Sequence, residues 1–118
     1  MTLILQLWLT LGSFVGNVDP NSIEITWTVV ERGKAGPQLR AGGTFCVEPD
    51  SFATVVFAAT NTKTKHRSVS MCLMNDNDWS VPLDLVPGTY DCEAYLTVGR
   101  KNGAAYPESF TRRGVKVK

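Results

Sequence analysis

The chain has 118 residues, with 12 Lys or Arg against 11 Asp or Glu and a net charge of +1. That length suits one domain with a single two-layer core, so residues 1–118 are read as one unit. A hydrophobic share of 43% and a charged share of 19% exclude a disordered chain. The balanced charge excludes a whole-molecule field that would draw the protein to nucleic acid or to an anionic membrane.

At the start, Leu3, Leu5, Leu7, Leu9 and Leu11 alternate with Ile4, Gln6, Trp8 and Thr10, the period of a β-strand. One face is entirely leucine and the other partly apolar. Such a strand is either central in the domain's own core or covered by another chain. In the second case residues 1–16 form a partner-contacting N-terminal strand, with Leu3, Ile4, Leu5, Trp8 and Leu9 as interface residues. A signal peptide or membrane span is not expected. There is no Lys or Arg before Arg32, and Gln6 and Thr10 interrupt a run shorter than the ~20 residues a spanning helix needs.

Strands and turns then follow one another without a helical stretch. Ile23, Ile25, Trp27 and Val29 alternate with Glu24, Thr26 and Thr28, the clearest strand pattern in the sequence. Gly33-Lys34-Ala35-Gly36-Pro37 and Gly42-Gly43 predict a long flexible loop carrying Arg32, Lys34 and Arg40. Phe45 and Val47 open a short strand that Pro49 stops. Residues 52–60 are an almost unbroken apolar run, suited to a central strand. Asn61 to Thr64 turn the chain, and Val69, Met71 and Leu73 alternate with Ser68, Ser70 and Cys72 on the return. After the polar turn Asn75-Asp76-Asn77-Asp78, residues Trp79, Val81 and Leu83 make a short edge piece, consistent with Pro82. Beyond the Pro87-Gly88 turn, Tyr90, Cys92, Ala94, Leu96 and Val98 share one face. A polar hairpin over residues 99–103 leads to a last strand over residues 109–117, where basic residues suit an edge. Strands at this spacing indicate an all-β antiparallel sandwich.

The chemistry expected of this sequence is binding rather than catalysis. His66 is the one histidine; it lies between Lys65 and Arg67, with no carboxylate near in sequence to orient it. No catalytic or nucleotide-binding motif occurs, so neither an enzyme nor a cofactor is expected. The run from Asp76 carries Val81 where a calcium loop needs Gly and lacks its closing glutamate, so turn chemistry accounts for Asp76 and Asp78 and no metal is expected. Lys63, Lys65 and Arg67 share a hairpin face without the interleaved aromatics that stack bases, so nucleic acid is not expected as a partner. Cys46, Cys72 and Cys92 are read as three free thiols of a reducing compartment, with a Cys72–Cys92 bridge the alternative if they lie on facing strands.

Gly88-Thr89-Tyr90-Asp91-Cys92 carries the clearest resemblance. A Tyr two residues before a Cys, just past a tight turn, resembles the corner that opens strand F of immunoglobulin-like sandwiches. Tyr90, Gly88 and Trp27 are accordingly the structural residues expected of such a fold. From Leu85 to Val117 the chain also resembles the end of immunoglobulin-like domains in tailed-phage virion proteins, namely head-decoration or cement proteins and baseplate upper proteins. Trp27 precedes every cysteine, which departs from the Cys-Trp-Cys order of antibody domains. The resemblance implies a virion structural protein made in the host cytoplasm. It would decorate or cement a capsid within a multimeric assembly by binding other virion proteins, capsid or tail subunits. A tail or baseplate component is the near alternative. A carbohydrate-binding or adhesin module, with Trp8 or Trp79 as the stacking platform, is the distant one.

Overall fold

The structure is a computed structural model that describes residues 21–49, 51–100 and 105–118. Among these, every regular element is a strand. In chain order they are β1 (Ser22–Gly33), β2 (Gly36–Cys46), β3 (Ser51–Asn61), β4 (Arg67–Met71), β5 (Leu73–Asn75), β6 (Asp78–Asp84), β7 (Gly88–Arg100) and β8 (Ala105–Val117). The expected N-terminal strand, with Leu3, Ile4, Leu5, Trp8 and Leu9, lies outside the described residues.

Two four-stranded sheets face each other, in the orders β1-β2-β6-β5 and β4-β3-β7-β8. All paired neighbours run antiparallel. The chain makes the β1–β2 hairpin in the first sheet and β3–β4 in the second. It returns for β5–β6 and ends with β7–β8. This is the strand order A-B-E-D packed on C′-C-F-G, so the fold is an immunoglobulin-like β-sandwich.

The core lies where the inward rows of both sheets meet. Ile25, Leu39, Trp79 and Val81 of the first sheet pack on Val55, Phe57, Ala94, Leu96 and Val98 of the second. The rings of Phe57 and Trp79 sit 5.9 Å apart and tilted by 36°, within the range where aromatic pairs attract. In β7 the expected period holds from end to end, and Tyr90, Cys92, Ala94, Leu96 and Val98 are all buried. Each fully buried side chain of Val or Leu size contributes about 1.5–3 kcal/mol.

Three local expectations are corrected. The predicted long loop is a tight turn at Lys34-Ala35, and Gly42-Gly43 lie in mid-strand in β2. The alternation of Leu39, Ala41 and Phe45 into the core outweighs the glycines, which serve close packing rather than flexibility. Trp27 does not share a face with Ile23 and Ile25. A bulge between Ile25 and Trp27 inserts Thr26 and turns the indole to the outer face. β6 is an inner strand between β2 and β5. Pro82 is tolerated because β5 pairs only with residues 78–80, leaving that side of Pro82 without a strand neighbour. The alternation in β4 leaves its facing open; the strand presents Ser68 and Ser70 towards the core and Val69 and Met71 to solvent.

Candidate binding surfaces

On the outer face of the first sheet the β1 bulge and the two glycines of β2 shape a cleft. Trp27 pairs with Gly42 and lies over it, and a Cβ there would run into Cζ2, Cε2 and Nε1 of the indole. A Cβ on Gly43 would run into the Glu24 carbonyl. That carbonyl accepts the indole N–H of buried Trp79 at 3.1 Å. Trp27 remains 40% exposed.

The register sets the rest of the lining. Trp27, Gly42, Ser80 and Leu73 form one row across the sheet, and Thr44, Asp78 and Asn75 belong to the next. Apart from Gly42, which the indole covers, these residues line a cleft of about 510 Å³ together with Thr26, Met74 and the floor at Gly43 and Trp79, within the range of small-ligand sites. The side chains of Thr44, Asn75, Asp78 and Ser80 make no hydrogen bond or ion pair to another described residue. Their polar atoms are left to solvent or to a ligand.

A second surface lies on the flank where the chain crosses from one sheet to the other. Val69 and Met71 on β4 are 54% and 70% exposed, and Leu73 on β5 is 74% exposed. Between them Cys72 points inward, with its N–H bonded to the Val55 carbonyl at 2.9 Å.

The expected site residues fall in different places. Tyr90 is buried, and its hydroxyl donates to the Val86 carbonyl at 2.7 Å. Gly88 packs against the Asn61 amide, and a Cβ there would stand 2.7 Å from Asn61 Nδ2. The Asn61 side chain in turn accepts the backbone N–H of Lys63 and of Thr64. Trp79 is buried, so it cannot be the stacking platform of the carbohydrate reading; Trp27 is the exposed indole. Trp8 lies outside the described residues.

Other candidate chemistry disperses in the fold. Arg67 donates to Tyr95 Oη at 3.0 Å and to Glu93 Oε1 at 3.4 Å. The bond to Tyr95 is the main cause that holds its pKa above the usual arginine value. His66 is exposed, with its backbone N–H bonded to Thr64 Oγ1. Among the described residues no group of three or more His, Cys, Asp or Glu could hold a metal. All three cysteines are free. Cys72 and Cys92 both flank β3, opposite Val55 and Ala59. An offset of four residues along β3, on opposite sides of it, keeps them at least roughly 13 Å apart, beyond the reach of a disulfide.

The cleft was missed in the sequence because Gly42-Gly43 reads as a loop. The signal was present: glycines inside an alternating strand mark a bulge or a close approach. No family model, characterised protein or solved structure matches the chain. Function is therefore argued from these surfaces, since a fold of this kind hosts many functions.

Proposed function

We propose that this chain is a non-enzymatic structural protein of a phage virion, decorating or cementing the capsid by binding neighbouring subunits. The supporting observation is the exposed apolar flank of Val69, Met71 and Leu73. Single exposed apolar residues are ordinary, but Val69 and Met71 stand next to each other on the outer face of edge strand β4, and Leu73 follows two residues on; such neighbours suit a contact surface. Covering these three side chains would contribute on the order of 3–6 kcal/mol before the ordering cost of association. The mechanism is adhesion without bond making or breaking. The sandwich folds on its own core and offers the flank to the particle. Leu3, Ile4, Leu5, Trp8 and Leu9 are proposed as a second contact segment.

The test uses particles purified from the source cells. Immunogold labelling against this chain should decorate them, on the head for a cement protein and on the tail for a baseplate component. Added recombinant protein should co-sediment with stripped particles, and a Val69→Ser, Met71→Ser double variant should not. Particles without label, or undiminished binding by the double variant, would overturn the reading.

A further inference from the structure

We propose that the cleft beside Trp27, floored by Gly43, is a binding site for a neutral hexopyranose, stacked on Trp27. This is a second ligand chemistry, beyond the subunit contacts proposed above.

The first argument is the platform. A sugar ring presents a face of C–H groups that packs well on a flat aromatic surface carrying a polar edge. Trp27 is that kind of surface, since Gly42 backs it on the sheet side and it is 40% exposed on the other. A backed indole is pre-positioned, so less rotamer freedom is lost on binding.

The second argument is the spacing of polar groups. On one face of a sheet, successive rows stand about 7 Å apart, and neighbouring strands about 4.8 Å apart. The row Thr44–Asp78–Asn75 therefore lies about one sugar ring's width from the row holding Trp27. A ring stacked on the outer face of Trp27 and leaning past its edge over Gly43 would turn its hydroxyls towards the Asp78 carboxylate and the hydroxyls of Thr44 and Ser80. These supply both donors and acceptors, as a ring of hydroxyls requires. None of the three is occupied by another described side chain.

The third argument is charge. The one ionisable group in the lining is Asp78, and the row through Thr44 ends on β1 at Glu24. Among the described lining residues there is no Lys or Arg, and Arg40 stands one row away, on the side of the Trp27 row opposite Asp78. An acidic sugar would meet repulsion here, which selects a neutral one. Leu73 and Met74 on β5 bound the far side of the cleft.

The experiment is affinity electrophoresis of the full chain through native gels containing hydroxyethylcellulose, galactomannan or dextran, with polygalacturonate as the acidic comparison. Retardation is expected in at least one neutral polysaccharide and not in polygalacturonate. Trp27→Ala and Asp78→Ala should each weaken it by about tenfold or more. Circular dichroism checks that the variants fold, and the milder Trp27→Phe and Asp78→Asn serve if Trp27→Ala does not. Free migration in all three neutral gels would overturn the proposal. So would equal retardation by polygalacturonate, or retardation unchanged in folded Trp27 and Asp78 variants. Val69 and Met71 lie outside the cleft, so particle binding and sugar binding can fail separately.

Discussion

The indole N–H of Trp79 donates to the carbonyl of Glu24 at 3.1 Å, reaching across Gly43 from β6 to β1. The bond joins the aromatic centre of the core to the bulge that turns Trp27 outward. It is available because Gly43 has no side chain to block the approach, just before the bulge between Ile25 and Trp27. One glycine thus supports both the packing of a buried indole and the exposure of another.

Gly43→Ala should therefore be severe for so small a change. Its Cβ would meet backbone atoms of Glu24, which cannot swing aside as a flexible side chain can. The bulge has to shift and the Trp79 N–H loses its acceptor. A loss of about 2–4 kcal/mol is expected in urea denaturation. Gly42→Ala should cost less, because it displaces only the outer Trp27 ring. Equal effects from the two variants would contradict the bulge argument.

Tyr90→Phe removes the hydroxyl that donates to Val86 at 2.7 Å and should cost about 1 kcal/mol. Tyr90→Ala also empties a buried ring site and should cost about 3–5 kcal/mol. Unchanged stability in Tyr90→Ala would remove this corner as a support of the fold.

Burial pushes the thiols of Cys72 and Cys92 up to about 12, with Asp91 adding to the effect at Cys92. Unfolding returns each to the ordinary value of about 8.5. Above that pH the unfolded chain releases protons that the folded chain still holds. The contribution of these thiols to stability is thus complete below pH ~8.5 and declines as the pH rises towards ~12. The fall in urea midpoint above pH ~9 should be steeper in the parent chain than in a Cys72→Ala, Cys92→Ala variant. A thiol reagent at neutral pH should modify exposed Cys46 at once, half-buried Cys72 more slowly and buried Cys92 only after unfolding. Rapid native modification of all three would contradict the burial.

Val69→Ser and Met71→Ser should change stability by less than about 0.5 kcal/mol each, since both side chains are exposed in the folded domain. Self-association in sedimentation velocity, if the flank drives it, should fall in the double variant. A large loss of stability would mean that these residues serve the core instead.

Much of the architecture was legible because β-strand alternation is a local property. Tyr90 to Val98 place every second residue in the core, and the apolar run from Phe52 becomes the inner strand β3. The corner at Gly88 and Tyr90 was readable too, since its atoms lie within a few residues of one another. β4 was harder. Its alternation of serine with Val69 and Met71 indicates a strand, but not which face points inward. That choice follows from its register on β3, where Ser68 and Ser70 pair with the inward-facing Ala59 and Phe57.

By itself the sequence determined the strand pattern, the balanced charge and the free, widely spaced cysteines, because each depends on composition or on neighbours in the chain. The tertiary structure alone decided the outward turn of Trp27, the burial of Trp79 and the cleft between Trp27 and Asp78. These depend on how β1, β2 and β6 line up across the sheet. Slipping a strand by one residue reverses every face, and here a single inserted residue, Thr26, separates the strand read from the sequence from the surface the fold presents.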